Sequence, residues 1–167
     1  MKFIKEYTCS FTGHRPQKLP WKFDDFNKQC LKIKKQTKKE IKKLIKKGYV
    51  NFLVGMALGF DTYVCEILLD LKQKFKHIKI FGIIPCKNQD EMWSRELKER
   101  YLFLLTQLDE KIILNETYTK TCMKERNEFM LNNSSCLIAL FNGANGRTKN
   151  TIEQAIKLNL KIKIIKP

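Results

Sequence analysis

The sequence predicts a single α/β domain over residues 1–167, in which helices cover both faces of a mostly parallel sheet and form a three-layer sandwich. Segments rich in β-forming residues alternate with segments whose apolar residues recur at helical spacing, which is typical of parallel strands joined by right-handed crossovers. The chain has 167 residues, of which 43% are hydrophobic, and is therefore large enough to bury one core. We find no linker or internal repeat in the sequence that would indicate a second domain.

Six segments are predicted as strands. They are Tyr7–Thr12, Tyr49–Val54, His77–Pro85, Lys111–Leu114, Cys136–Phe141 and Lys161–Ile165. The third contains an apolar run without alternation, which favours a strand buried on both faces. Loops at 13–16, 55–61, 85–86 and 142–148 follow four of these strands. If the fifth strand returns beside the first, a crevice opens between them at the carboxyl edge, where ligands bind in such sheets.

Five segments are predicted as helices, because their apolar residues recur at steps of three and four. The first is Lys28–Lys47, with a stripe of Phe26, Cys30, Ile33, Thr37, Ile41 and Leu44. The others carry Val64, Ile67, Leu68, Leu71 and Phe75; Trp93, Leu97, Tyr101, Leu104 and Leu108; the segment Cys122–Leu131; and Ile152, Ala155 and Ile156. We interpret the aromatic residues of the third helix as core rather than as ligand contacts.

The stretch Gly55-Met-Ala-Leu-Gly-Phe-Asp61 follows the second strand, and Asp61 is predicted to open the second helix. A strand, a glycine loop and a helix start bring backbone N–H groups and the positive end of a helix dipole to one point, which favours anion binding. The glycine spacing matches neither a phosphate-binding P-loop nor a dinucleotide fingerprint. The glycines therefore either hold an anion or simply turn a tight corner.

The formal net charge is +16, and many of the lysines lie in Lys28–Lys47. This helix predicts either weak nucleic-acid binding through phosphate contacts or a solvated lysine-rich face. The second interpretation is favoured because the segment has no arginine and no aromatic residue for stacking. No apolar run approaches the roughly 18 residues needed to cross a bilayer. We expect a cytoplasmic protein without a membrane partner.

The six cysteines are scattered singly and, with two histidines, offer no familiar zinc spacing. We therefore expect free, buried thiols and neither a metal nor a cofactor. Cys86 follows Pro85 at a strand end and could be a nucleophile. That role is disfavoured because no histidine is predicted beside it to lower its pKa.

Five motifs, in this order and spacing, resemble the YpsA-like branch of the SLOG superfamily. They are Thr12-Gly-His-Arg-Pro16, Gly55-Met-Ala-Leu-Gly-Phe-Asp61, Ile84-Pro-Cys86, Cys122-Met123 with Arg126-Asn127, and Gly146-Arg-Thr148. The resemblance runs almost from end to end and implies a Rossmann-like fold whose carboxyl edge binds a nucleotide or a nucleotide-derived ligand. It also implies a homo-oligomer, since relatives commonly form dimers. It implies little about a reaction.

Relatives of this branch suggest an enzyme as one alternative. LOG phosphoribohydrolases carry a glutamate three residues after the threonine that corresponds to Thr148, but this chain has Thr151 there. Glycosidic cleavage passes through an oxocarbenium-like state that a carboxylate stabilises. Glu153 lies two residues further on, about 200° away around a helix. Nucleotide N-glycosidic cleavage is therefore disfavoured, and we predict no catalytic residue.

A second alternative is single-stranded nucleic-acid binding, as in DprA, whose glycine run resembles that of this chain. The basic composition supports it, whereas no appended winged-helix segment is present in the sequence. The chain also departs from its own branch, with Arg147 inside a motif that tends to be Gly-Gly-Thr. Polar residues replace the usual acidic ones at Asn132, Ser135 and Asn142. These departures favour binding of a phosphate over carboxylate-assisted catalysis.

The predicted ligand contacts are Gly13, His14, Arg15, Gly55, Met56, Ala57, Gly59, Asp61, Pro85, Arg126, Asn127, Asn142, Gly143, Gly146, Arg147 and Thr148. Arg15 and Arg126 are the main candidates for holding an anion, since a guanidinium can bind phosphate in a bidentate manner. The alternative for both is a structural pair with Asp61 or Glu125. His14 contacts a ribose or base, or else caps a strand end; Asp61 holds a ribose hydroxyl, or else is a helix N-cap.

Overall fold

A computed structural model describes residues 3–167, and its six strands form one parallel sheet in the order β4-β3-β2-β1-β5-β6. The strands are β1 (Thr8–Gly13), β2 (Asn51–Val54), β3 (Lys79–Ile84), β4 (Glu110–Ile113), β5 (Cys136–Leu140) and β6 (Lys161–Ile165). The helices are α1 (Lys28–Lys46), α2 (Phe60–Lys74), α3 (Arg95–Gln107), α4 (Cys122–Asn132) and α5 (Arg147–Lys157), with short 3-10 turns at Lys5–Tyr7 and Pro16–Lys18. The predicted Rossmann-like α/β fold is confirmed, and every strand pair is parallel.

The order in which successive strands are added to the sheet reverses at β1, while all strands remain parallel. Strands β1 to β4 follow one another outward, whereas β5 pairs with the opposite edge of β1, with Cys9 opposite Cys136 and Gly13 opposite Leu140. The carboxyl ends of β1 and β5 are therefore adjacent, and the loops after them leave the sheet side by side. This is the arrangement that the sequence predicted for a ligand crevice.

The core lies on both faces of the sheet. Phe52 and Val54 of β2 join the cluster under α1, α2 and α3, whereas Leu53 between them joins a cluster with Met130 of α4 on the other face. A third cluster unites β5 with α5. Neighbouring side chains of a strand point to opposite faces, so two helix layers cover the sheet.

The stripe of α1 differs from the prediction at both ends. Asn27 caps the helix by accepting a hydrogen bond of 2.9 Å from the Gln29 N–H, so Phe26 precedes the helix and is 87% exposed. At the other end Ile45 is buried and Leu44 is only partly buried, because Ile45 lies four residues after Ile41 and continues the stripe.

Helix α2 begins one residue earlier than predicted. Gly59, at φ 88°, is its N-cap and Phe60 its first residue, so the alternative that made Asp61 the helix N-cap is wrong. A side chain at Gly59 would put its Cβ 2.5 Å from the His14 carbonyl oxygen, which explains why the cap carries none. Similarly, Ser94 caps α3 and Trp93 precedes that helix. None of the helices within residues 3–167 combines the length and the apolar character needed to span a membrane.

Candidate anion-binding site

A cavity of about 420 Å³ lies where the loops after β1 and β5 meet the start of α2. It contains residues of three turns that are far apart in the sequence: the one after β1, the one between β2 and α2, and the one between β5 and α5. Its lining comprises Phe11, Thr12, Gly13, His14, Arg15, Lys18, Ala57, Leu58, Asp61, Met123, Arg126, Asn127, Ala144, Asn145, Gly146, Arg147 and Thr148. We call it the cationic cavity.

Ten of the sixteen predicted ligand contacts line the cationic cavity. They are Gly13, His14, Arg15, Ala57, Asp61, Arg126, Asn127, Gly146, Arg147 and Thr148. The other six do not line it: Gly55, Met56, Gly59, Pro85, Asn142 and Gly143. Five of them belong to the loops at 55–61 and 142–148, of which only part faces the cavity, whereas Pro85 belongs to a loop that does not reach it.

Arg126 is a buried part of the cavity wall. Its guanidinium donates through Nη1 to the Gly55 carbonyl oxygen and lies 3.6 Å from the Asp61 carboxylate. Asp61 also accepts a hydrogen bond of 3.1 Å from the Ala57 N–H. The structural pair that the sequence left as an alternative is thus formed, and it ties α4 to the loop between β2 and α2.

Burial shapes both charges of this pair. It raises the pKa of the Asp61 carboxyl, and the nearby Arg126 charge and the Ala57 N–H oppose that rise. It lowers the pKa of Arg126, which Asp61 opposes. Gly55 has to lack a side chain here, because a Cβ at that position would lie 1.9 Å from Nη1 of Arg126. The pair therefore explains Gly55 as a structural residue rather than a phosphate contact.

Three further cations surround the same space. Arg15 is half-buried with its Nη2 3.9 Å from the Met123 sulfur, and burial lowers its pKa, an effect that Asp61 opposes and Arg147 reinforces. The Lys18 ammonium lies beside Gly146, since a Cβ there would be 3.3 Å from its Nζ. Among the described residues that line the cavity, Asp61 is the one carboxylate. Four cationic side chains therefore face one acidic group.

Lys18 is a cavity residue that the sequence analysis missed. It ends the 3-10 turn Pro16–Lys18, three residues after Arg15, so both side chains can reach the same space. The available signal was the run Arg15-Pro-Gln-Lys18 immediately after a strand and glycine.

Helix α5 directs its amino end at the cavity. Gly146 is its N-cap, with φ 143°, and in the part of the chain that the structure describes no side chain caps the helix start. Its first residues, Arg147 and Thr148, line the cavity, and its first turn contains no acidic residue. The first N–H groups of a helix lack intrahelical partners and carry partial positive charge, so this end adds to the attraction for an anion.

His14 joins the turns after β1 and β5. Its Nε2 accepts a hydrogen bond of 3.1 Å from the Asn142 N–H, so this nitrogen is unprotonated. Burial and the charge of Lys18 lower the pKa of His14. The side chain is buried and lines the cavity, while its Nε2 performs the capping role that the sequence left as an alternative.

The position of the missing hydrolase glutamate is filled by a structural threonine. Thr151 is buried, donates to the Arg147 carbonyl oxygen at 2.9 Å and accepts from Asn127 Nδ2 at 3.0 Å. Glu153 lies 3.9 Å from Lys149 and does not line the cationic cavity. Of the two positions considered for a catalytic carboxylate, neither therefore offers one to a ligand in the cationic cavity.

The remaining predicted contacts have other surroundings. The Pro85 carbonyl accepts a hydrogen bond of 3.0 Å from Asn115, and burial raises the pKa of the neighbouring Cys86 thiol. Gly143, at φ 88°, is a turn residue with open space around it. All six cysteines are free and buried. Within residues 3–167 we find no group of three or more histidine, cysteine or acidic residues placed to hold a metal ion.

Comparisons with known proteins agree with this architecture. The model of the YpsA family, described as the YspA SLOG family, matches residues 9–166. An uncharacterized SPbeta prophage-derived protein, YoqJ of Bacillus subtilis strain 168, is 32% identical over 147 residues, which cover 80% of this chain and 86% of YoqJ. A UPF0398 protein of Brevibacillus brevis is 27% identical over 128 residues, covering 74% of this chain and 66% of that protein.

Two solved structures show the same fold. One is DNA processing protein A of Helicobacter pylori, described for its single-stranded DNA binding mode, with a TM-score of 0.63 and 16% identity. The other is DprA of Streptococcus pneumoniae, with a TM-score of 0.61 and 16% identity. The chain is matched over 96% and 94% of its length, but it spans only 65% and 50% of those proteins. At this identity the likeness concerns the fold alone.

Proposed function

Because the chain belongs to the YpsA family of the SLOG superfamily, we propose that it binds a nucleotide or a nucleotide-derived small molecule in the cationic cavity. Its role would be that of a sensor, a sequestering protein or a regulator. The observation that carries the proposal is the charge of this cavity. Arg15, Lys18 and Arg147 converge beside the open amino end of α5, while Asp61, the one carboxylate among the described lining residues, is engaged by Arg126.

The cavity suits a phosphate in two respects. An anion there offsets the mutual repulsion of the cations, which is visible in the contribution of Arg147 to the lowered pKa of Arg15. Guanidinium groups also supply bidentate hydrogen bonds to phosphate oxygens. A binding function is favoured over glycosidic cleavage because Thr151 occupies the position of the glutamate and is engaged with Asn127.

Thermal stabilisation by nucleotides tests the proposal. A ligand at about 100 times its Kd stabilises the folded state by ~2.7 kcal/mol, or roughly 5–10 °C for a chain of this size. We expect such shifts with AMP or ADP, and not with adenosine. Arg147→Ala removes an exposed contact and should weaken binding by roughly 10- to 100-fold, the usual effect of losing a charged hydrogen bond.

A matched control separates this effect from a general loss of charge. The Arg95 side chain is 91% exposed, pairs with Glu99 and does not line the cavity, so Arg95→Ala should leave the nucleotide response unchanged. Equal responses of wild type and Arg147→Ala would contradict the site. The hydrolase alternative would instead be supported if chromatography detected free base after incubation with nucleoside monophosphates.

The second candidate function is single-stranded nucleic-acid binding. The net charge of +16 and the exposed lysines of α1 favour it, and a DprA structure of similar fold binds single-stranded DNA. Its signature is salt dependence, since each phosphate neutralised contributes about −0.7 to the slope of log affinity against log salt for a single strand. A slope near zero for an oligonucleotide would exclude it.

Two further expectations, from the composition and the family resemblance, concern the compartment and the oligomeric state of the protein. Six free thiols favour a reducing compartment such as the cytoplasm. Homo-oligomerisation is expected through an apolar surface, for which Leu102 and Phe103 of α3 and Ile113 of β4 are exposed candidates. Light scattering of wild type and Phe103→Ser would test that surface, with a lower mass expected for the variant.

A further inference from the structure

A second cavity of about 560 Å³ adjoins the loop between β2 and α2. It is bounded by α2, α3 and the segment that precedes α1. Aromatic and aliphatic side chains dominate its walls, among them Phe23, Tyr63, Trp93, Leu97, Tyr101 and Leu104. We call it the aromatic groove. Trp93 and Tyr101 were both predicted to be core residues; Tyr101 is buried, whereas Trp93 remains partly exposed.

The two cavities share a wall. Leu58 lines both of them. Gly59 lines the groove and lies so close to His14 that a Cβ at Gly59 would be 2.5 Å from the His14 carbonyl oxygen. On the same wall Met56 has a left-handed backbone at φ 57°, although it is not a glycine. Its carbonyl is held by Gln89 Nε2 at 3.2 Å, and the same amide donates to the Tyr101 hydroxyl at 3.0 Å. Strained backbone of this kind clusters at ligand sites.

The charges of the groove differ from those of the cationic cavity. Its one lining cation among the described residues is Arg100, whose Nη2 contacts Asp25 at 2.6 Å and whose Nε contacts Glu66 at 2.8 Å. Glu96 adds a further negative charge to the lining. A phosphate is therefore attracted to the cationic cavity and not to the groove, so an amphiphilic ligand would divide its anionic and apolar parts between them.

We propose that the aromatic groove takes the base of the same nucleotide whose phosphate lies in the cationic cavity. This inference rests on the proposed function and specifies its ligand as one with a planar heteroaromatic ring. Phe23 is 53% exposed at the groove, and the Trp93 ring packs edge-on against Tyr101 with centroids 5.1 Å apart, which leaves aromatic surface for stacking.

The experiment compares three probes by calorimetric titration. AMP has phosphate, ribose and base; ribose 5-phosphate lacks the base; adenosine lacks the phosphate. Stacking of one base on aromatic side chains is expected to make AMP roughly ten-fold tighter than ribose 5-phosphate. Phe23→Ala should weaken AMP by about the same factor and leave ribose 5-phosphate unchanged.

The chain offers a matched control three residues away. Phe26 is 87% exposed and does not line the groove, so Phe26→Ala should bind all three probes like wild type. AMP should also quench the fluorescence of Trp93, and this change should disappear in Trp93→Phe, which retains only the buried Trp21.

The possible failures point to different conclusions. Equal affinities for AMP and ribose 5-phosphate would overturn the groove as the base site while leaving the cationic cavity as a phosphate site. The groove would also be overturned as the base site if Phe23→Ala lost affinity equally for AMP and ribose 5-phosphate, or if that variant bound AMP like wild type. Absence of binding by all three probes would refute both the groove and the proposed function.

Discussion

Replacement of Arg126 by alanine should destabilise the fold strongly. Arg126 is 7% exposed, and its guanidinium donates to the Gly55 carbonyl and lies 3.6 Å from the Asp61 carboxylate. The substitution leaves a buried carboxylate without its counter-charge and a carbonyl without its donor. Breaking a buried pair by removing one partner costs about 3–5 kcal/mol, a large part of the ~5–15 kcal/mol that stabilises an ordinary domain.

The loss in Arg126→Ala should also depend on pH. Burial already raises the pKa of Asp61, and Arg126 is the strongest influence that opposes the rise. A carboxyl whose pKa is raised by folding binds more protons in the folded state, so its stability contribution falls as pH rises from its unfolded value through its folded value. Without Arg126 the pKa of Asp61 in the folded state rises further, so the pH range over which this stability is lost extends to higher pH. The destabilisation should therefore be largest near pH 7 and decrease as pH falls toward about 4.

Urea denaturation at several pH values measures both effects. The exposed Arg95→Ala serves as the control and should change the free energy of unfolding by less than about 0.5 kcal/mol. The double variant Arg126→Met with Asp61→Leu removes both charges and should recover part of the loss. A cost below about 1 kcal/mol for Arg126→Ala, without pH dependence, would refute the assignment of a buried pair.

Two further substitutions follow from the same contacts. Gly55→Ala would bring a Cβ within 1.9 Å of Arg126 Nη1 and should lower the free energy of unfolding by about 1–3 kcal/mol in urea; an unchanged midpoint would contradict this packing. His14 has a lowered pKa, so its contribution to stability should be present above about pH 6.5 and be lost as pH falls. His14→Gln should flatten that part of the stability profile, and Lys18→Ala should raise the His14 pKa in an NMR titration.

The sheet and its crevice could be predicted from the sequence because they depend on local patterns. Alternating strand and helix periodicity determines a parallel sheet, and loops rich in glycine and polar residues mark strand ends. The placement of β5 beside β1 was assumed as a condition for the crevice rather than derived from the sequence, and the strand order of the sheet agrees with it. The boundary errors at Phe26 and Asp61 arose because capping is decided by individual hydrogen bonds, such as that from Gln29 to Asn27.

The roles of the charged residues were harder to predict, because a sequence does not show which charges are buried together. Arg15 and Arg126 looked equivalent as anion contacts, yet Arg126 is engaged with Asp61 while Arg15 lies among other cations. The aromatic groove was missed for a related reason. Phe23 and Trp93 are 70 positions apart in the sequence and meet only through the packing of the segment before α1 against the start of α3.

Two kinds of charge in the cationic cavity should respond differently to salt. The Arg126–Asp61 pair is buried, so added salt screens it weakly. Arg147 and Lys18 are exposed, so salt screens their attraction for an anion over a Debye length of about 8 Å at physiological ionic strength. The pair contributes no net charge and keeps the loop between β2 and α2 in place. The exposed cations contribute the attraction. Ligand affinity at this site is therefore expected to weaken with salt under conditions in which the fold itself does not.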